Sequence, residues 1–330
     1  MVVPSHSARD QSPAANEVVT IGEALGLLLA DDGVPLRAAR HFTRHSAGAE
    51  LNVSVALARL GHRCAFIGRV GDDPFGEDVL ATLRTEGVDA TGVIVDHDAR
   101  TGLLIRDYHG ERALRVIYRR SGSAGSRLAP DDLDPTSLDG AQLLHVTGIT
   151  PALSASARAA LGRALDAADE RSVPVSFDPN FRRRLWSADD AAPIMRALAG
   201  RATIILASER EAEWLSRRQG YAAAADWFLS QGAQIVAIKR GANGAWVTAR
   251  SGSFDVPPLA VTAPVDPVGA GDAFDAGFLS RWLRGDGLEI CGRYGAALGA
   301  ACVRAAGDLD GLPTSAELES VLGAAPDVDR

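Results

Sequence analysis

Short apolar runs alternate with segments of helical length along nearly the whole chain, and that rhythm constrains the fold more than any other feature. Leu143–Thr147, Val173–Asp178, Thr203–Ala207 and Gln234–Ile238 are strand-length and largely apolar. Between them lie Ser154–Arg171, Ala188–Ala199, and Glu209–Arg217 with Ala222–Gln231, all of helical pattern. Apolar strands joined by helices pair in parallel and are covered on both faces, so the chain is expected to be α/β with a central, mostly parallel sheet. The same rhythm holds toward the N-terminus. A strand opens at Val18–Ile21 and is expected to run past Gly22 into Leu25–Leu29. Glu50–Leu60 reads as a buried helix, Cys64–Val70 as a strand, and Phe75–Glu86 as a helix stopped by Gly87. Asp72-Asp73 before Pro74 reads as a turn and helix start. Beyond Gln234–Ile238, Ala245–Val256 reads as a hairpin, and Ala270–Arg284, Leu288–Arg304 and Ser315–Leu322 as helices.

One stretch breaks the rhythm. Val88–Arg120 is β-rich, with a hairpin turn expected at Tyr108-His109-Gly110-Glu111, and its flanks are too polar for the centre of a buried sheet. It is expected to stand off the body as a small second sheet. The organisation read from the chain is a polar tail over 1–16 and a single domain over 17–330, with a β-lid formed by roughly 30–46 and 88–121.

Composition excludes several classes. The 330 residues are 46% hydrophobic and 23% charged, enough for a sizeable core. Forty-two acidic against 34 basic residues give a net charge of −8, which argues against nucleic acid and anionic lipid as partners. Cys64, Cys291 and Cys302 are too widely spaced for a CxxC pair or a disulfide framework, and point to reduced thiols and a cytoplasmic location. The longest strongly apolar stretch, Ala24–Ala30, is far short of a membrane span. His41 and His45 are four apart but have no evident third metal ligand.

The segment richest in chemistry is Asp266-Pro267-Val268-Gly269-Ala270-Gly271-Asp272-Ala273-Phe274-Asp275-Ala276-Gly277. A helix starts near Ala270. Its first-turn N–H groups lack helical acceptors, and Gly269, Ala270 and Gly271 barely shield them, so an anion can sit there. Asp272 in this turn is either a helix cap or a base held beside that anion. No GxxxxGK[ST] and no GxGxxG after a strand occurs.

This segment resembles, over its whole length, the C-terminal signature of the ribokinase-like (PfkB) carbohydrate kinases. The N-terminal signature is matched by Ala47-Gly48-Ala49-Glu50-Leu51-Asn52-Val53, Leu57–Gly61 and Phe66–Gly76. The resemblance spans Val18 to Leu322 and implies a ribokinase-like fold, a central sheet flanked by helices with a β-sheet lid. It implies that Asp272 is the base, that Gly269, Ala270 and Gly271 form the anion hole, and that ATP and Mg²⁺ take part. The family's N-x-x-E motif near the magnesium and phosphates aligns with Ser208–Glu211. Glu211 fits, while Ser208 replaces the asparagine. Lys239, Gly241 and Gly244 resemble the glycine turn beside the nucleotide, and Ala300 lies on a helix with small residues on which adenine could rest. Some members carry a monovalent cation near the loop after Asp266, where the backbone of Asp266 and Val268 could supply oxygens.

Further segments resemble the 2-keto-3-deoxygluconate kinases: Gly48–Val53, Tyr118–Ala124, Leu144–Thr150, Phe177–Trp186 and Gly307–Thr314. That resemblance carries sugar contacts onto Gly48, Glu50, Asn52, Tyr118, Arg120, Ile149, Arg182 and Asp272. Two arginines suit a sugar carboxylate, which a neutral sugar lacks. A tyrosine common in the subfamily is replaced by Leu104. The expected activity is phosphorylation of a primary hydroxyl of this sugar acid. Kinases of fructose, ribose, tagatose or nucleosides, and a non-catalytic sugar-binding relative, are the competing readings. A homodimer or higher homo-oligomer through the lid is expected from its exposed edges.

Overall fold

The computed structural model describes residues 15–31, 34–108 and 115–323. Most of the expected tail and the expected turn at His109–Glu111 lie outside the described residues.

Along the chain come β1 (Val18–Ile21), β2 (Leu25–Ala30), β3 (Phe42–Ala47), α1 (Ala49–Arg59), β4 (Cys64–Gly71), α2 (Pro74–Thr85), β5 (Val93–Asp96), β6 (Gly102–Arg106) and β7 (Val116–Arg119). There follow β8 (Leu143–Thr147), α3 (Thr150–Leu153), α4 (Ala155–Glu170), β9 (Val175–Asp178), α5 (Ala188–Ala199), β10 (Ile204–Ser208), α6 (Glu209–Ser216), α7 (Tyr221–Ser230) and β11 (Ile235–Lys239). The hairpin β12 (Ala245–Ala249) and β13 (Gly252–Val256) precedes α8 (Ala270–Leu283), α9 (Leu288–Cys302) and α10 (Ser315–Gly323).

The large sheet has nine strands in the order β13-β12-β11-β10-β9-β8-β1-β4-β5. It is parallel from β11 to β5, and only the hairpin runs antiparallel. Its inner strands are buried throughout, as the apolar runs require. One face packs on α1, α8 and α9 through Leu51, Phe66, Phe278 and Leu298. The other packs on α4, α5, α6 and α7 through Leu161, Phe177, Met195 and Phe228. Helix starts follow local chemistry. Asp73 caps α2 by accepting from Phe75 and Gly76 N–H, with Pro74 next, and Ser154 caps α4.

The small sheet, in the order β3-β2-β6-β7, covers the C-terminal ends of the large sheet's strands. Two expectations change here. The chain does not run as one strand from Val18 to Leu29: β1 belongs to the large sheet and β2 to the small one. The break falls at Gly22, where a Cβ would overlap the buried Glu50 carboxyl group at 2.2 Å. The crossing therefore needs glycine. Val93–Asp96 leaves the expected lid and pairs in parallel with β4 at the edge of the large sheet. Its apolar VIVD run fits either sheet, and only tertiary pairing chooses between them.

Candidate active site

The ends of β8 to β11, the inner face of the small sheet and the head of α8 enclose a cavity of about 430 Å³. Crevices at strand C-termini are where open α/β sheets bind ligands. The small sheet contributes Leu25 and Leu104 to the cavity, with Leu27 and Leu29 packed alongside in an apolar cluster. Leu104 thus lines the cavity at the position where the resemblance expected a tyrosine.

The head of α8 is built from the Asp266–Asp272 segment. Gly269 has φ 83°, and a Cβ there would lie 3.0 Å from the Asp308 carbonyl oxygen and 3.3 Å from Cys302 Sγ. Only glycine meets both conditions without strain. The Ala270 N–H makes a long 3.5 Å turn bond to the Pro267 carbonyl, whereas the Gly271 and Asp272 N–H groups have no acceptor among the described residues. Asp272 is 8% exposed and faces the cavity from this first turn. Asn52 Nδ2 donates to its Oδ2 at 2.8 Å, and Asn180 Nδ2 donates to its Oδ1 at 3.2 Å. Burial pushes its carboxyl up to about 7, opposed by the Asn52 hydrogen bond and assisted by the nearby Asp178 charge, with Arg182 and Lys239 pulling back down. Asp272 is therefore a carboxylate whose affinity for a proton is set near neutrality.

Lys239, the chain's single lysine, is tied into the protein at its cavity end. Its Nζ donates to Asp178 Oδ2 at 2.9 Å and to Asp275 Oδ1 at 2.9 Å. Burial works against Asp178, but Lys239 and hydrogen bonds hold that carboxyl below its ordinary range. Burial, opposed by Lys239 and assisted by the Asp178 charge, leaves Asp275 well above it.

Gly48, Glu50, Asn52, Tyr118, Arg120, Ile149 and Arg182 all line the cavity. Gly48 has φ 150°, and a Cβ there would overlap the Glu23 carbonyl oxygen at 2.3 Å. Arg120 is buried, pairs with Glu23, and stacks its guanidinium 5.3 Å from the Tyr118 ring centre. Glu50 is wholly buried and accepts from the Thr147 and Thr150 hydroxyls at 2.7 and 2.8 Å. Burial raises its carboxyl, as it does that of Glu23.

Ser208, Glu211, Lys239 and Gly241 line the other side, together with Gly269 and Gly271. Gly244, Ala270 and Ala300 lie outside the lining. Gly244 has φ 81° and packs against the Val256 carbonyl, so its role is in the turn before β12. Ser208 and Glu211 form a capping box at the start of α6: Glu211 Oε2 accepts from Ser208 N at 3.0 Å and Oγ at 2.5 Å. Glu211 Oε1 accepts from Phe181 N at 2.6 Å. Both carboxylate oxygens are thus already engaged. The residues that sequence reasoning left out are Glu23, Asp178, Asn180 and Asp308 on the cavity and Asp275 and Arg106 behind it. The run Phe177-Asp178-Pro179-Asn180 carried the signal for two of them; Asp275 stood in view in the α8 segment but read as ordinary helix.

The chain is similar to known proteins over most of its length. The pfkB family carbohydrate kinase pattern matches residues 15–315. The 2-dehydro-3-deoxygluconokinase of Bacillus subtilis (strain 168) is 37% identical over 311 residues, covering 93% of this chain and 96% of the relative. The crystal structure of 2-dehydro-3-deoxygluconokinase from Thermotoga maritima superposes with a TM-score of 0.87 at 26% identity, covering 94% of this chain and 98% of that one. The fructokinase of Vibrio cholerae O395, solved with fructose, ADP and calcium ion, gives 0.80 at 30% identity, covering 93% and 99%. The fold is ribokinase-like, with the large sheet between helices and the small sheet set over its strand ends. The chain belongs to the pfkB family of carbohydrate kinases and is a sugar kinase. Among the described residues no helix is long and apolar enough to cross a membrane.

Proposed function

We propose that this sugar kinase transfers the γ-phosphoryl group of ATP to the primary hydroxyl of 2-dehydro-3-deoxygluconate, the sugar acid also called 2-keto-3-deoxygluconate. The observation that carries the reading is Asp272, buried between two asparagine donors and one residue past the unpaired Gly271 N–H. Asp272 takes the hydroxyl proton as that oxygen attacks the γ-phosphorus, and ADP leaves. The Gly269–Gly271 turn and the helix dipole behind it hold the charge on the transferred group. Asn52 and Asn180 keep the base aimed. Arg120 and Arg182 line the same cavity, and a guanidinium fork matches the carboxylate of a sugar acid.

No cluster of three or more acidic, histidine or cysteine residues suited to a metal occurs among the described residues. That fits Mg²⁺, which keeps several waters and binds chiefly through substrate phosphates. Glu211 lines the cavity with its oxygens engaged, so it would meet the ion through water. Bound Mg²⁺ would neutralise phosphate charge. A monovalent cation beside the same loop would rest on the main-chain carbonyls of Asp266 and Val268, because the Asp266 carboxylate is taken up by Val268 and Gly307 N–H groups and by Arg106.

The test is ADP release with ATP and Mg²⁺ across 2-dehydro-3-deoxygluconate, its galacto epimer, fructose, ribose, tagatose and nucleosides. The gluconate acid is expected to give the highest kcat/KM. A neutral sugar or a nucleoside in first place would refute the substrate assignment, and turnover of none would favour a sugar-binding relative. The galacto epimer belongs in the panel because Leu104 offers no hydroxyl to read sugar stereochemistry.

A further inference from the structure

Arg106 is the largest wholly buried side chain among the described residues, and it sits on the small sheet. Alternation along β6 turns it to the inner face, next but one to Leu104. Its Nη1 donates to Asp266 Oδ2 at 2.6 Å and its Nη2 to Asp308 Oδ1 at 2.8 Å. Each aspartate is in turn joined to the transfer apparatus. Asp266 opens the turn at the head of α8: its Oδ1 accepts from Val268 N at 3.1 Å, and its Oδ2 also accepts from Gly307 N at 3.1 Å. Asp308 packs its backbone against Gly269, and its Oδ2 accepts from Asn52 Nδ2 at 3.4 Å. That same Asn52 amide holds Asp272.

The guanidinium therefore reaches the anion turn through one aspartate and the base through the other. Burying a charge on β6 is costly, and an apolar residue would extend the leucine-lined inner face without that cost. A planar fork of donors does what a leucine cannot: it fixes two carboxylates relative to each other. We propose that Arg106 is a positioning residue for phosphoryl transfer, a tethered cation on the small sheet that holds the Asp266–Asp272 turn and the Asn52–Asp272 pair in register through Asp266 and Asp308. This role rests on the phosphoryl-transfer reading of the cavity.

Arg106→Ala, Arg106→Lys and Asp308→Asn test it with the wild-type enzyme's own best sugar. Arg106→Ala is expected to lower kcat about thirtyfold or more while the sugar KM moves less than about threefold. Millimolar guanidinium should restore at least tenfold of that loss, and KCl at equal ionic strength should not. Arg106→Lys, a point charge without the fork, should stay nearer to the alanine variant than to wild type. If Arg106→Ala does not fold, Asp308→Asn keeps the shape and the Asp266 pair, and its kcat should fall about tenfold at constant sugar KM. Amide hydrogen exchange over residues 266–272 needs no substrate and should quicken in each folded variant. A kcat within twofold of wild type, a loss that guanidinium and KCl repair equally, or unchanged exchange in that segment would overturn the role. Failure of the kinase reading would show separately, as no wild-type turnover of any sugar.

Discussion

Asp272 illustrates how one residue can be legible in type and illegible in tuning. The Gly-Ala-Gly-Asp run marks a helix start with spare N–H groups and a carboxylate, and that much follows from the sequence. The proton affinity near pH 7 arises from burial by segments far away in the chain, with Asn52 220 positions off. Because the base works deprotonated and its carboxyl is raised, kcat should climb with pH through about 7 and fall away below it. Removing the Asn52 hydrogen bond, which favours the ionised form, should move that midpoint to higher pH; a kcat–pH profile of Asn52→Leu from pH 5.5 to 9 reads the shift. Asp272→Asn should lose about a thousandfold in kcat and keep its nucleotide Kd, measured by calorimetry. At the sugar end the cleaner probe is Arg182. Arg120→Ala would strand the buried Glu23, whereas exposed Arg182 forms no ion pair among the described residues. Arg182→Ala should raise the KM for the sugar acid about tenfold and leave that for ATP unchanged. Arg106 was hidden from sequence reasoning for a related reason: its two partners lie 160 and 202 positions away, and an arginine on a polar-looking strand reads as solvated.

At the scale of elements, periodicity located most of the large sheet's strands and the longer helices, gave β5, β6 and β7 only as one β-rich stretch, and did not tell which sheet each strand joins. β2 and β5 are apolar enough for either sheet, and the choice depends on Gly22, on the Glu50 carboxyl beneath it, and on the edge of β4. The Lys239 cluster shows the same limit. It joins the ends of β9 and β11 to α8, and each member alone is an unremarkable charged residue in a helix or at a strand end. Here removing the cation differs from removing an acid. Lys239→Met leaves Asp178 charged and uncompensated indoors and should cost about 3–5 kcal/mol in urea unfolding. Asp275→Asn removes an acid that burial disfavours in its charged form and leaves Asp178 paired with Lys239, so it should cost less than Lys239→Met. The sign with pH follows from the raised carboxyl. Wild type loses stability as pH rises and Asp275 is forced to ionise, and Asp275→Asn does not. The urea midpoints of the two proteins should therefore shift in favour of the variant as pH rises above the ordinary aspartate range.

For the whole molecule, the small sheet has two faces, and only one is used by the cavity. Its inner face carries Leu25, Leu27, Leu104 and Arg106. Its outer face carries Leu28, Ile105 and Ile117, aligned straight across β2, β6 and β7 by the strand register, with Leu103 beside them on β6. Part of that face is occupied, because α2 packs behind β2 and sets Phe75 against Gly26. The β6–β7 part has no such cover among the described residues, and Ile117 is 40% exposed. A contiguous, partly exposed apolar row on a sheet face is an association surface more often than a solvent-facing one. The expected occupant is a second copy laid face to face through this sheet, since a two-fold contact needs only a self-complementary apolar patch. A stable contact of that kind buries about 1,200–2,000 Å², more than the row alone supplies, so neighbouring residues of β3 and β7 must join it. Ile105 is the discriminating position, being central in the row and pointing away from the cavity. Ile105→Asp should convert a dimer into a monomer in sedimentation equilibrium while the cavity lining stays intact. If dimerisation also steadies the small sheet over the sugar, the monomer's sugar KM rises more than its nucleotide KM. A wild-type protein that sediments as a monomer would place the row's function elsewhere.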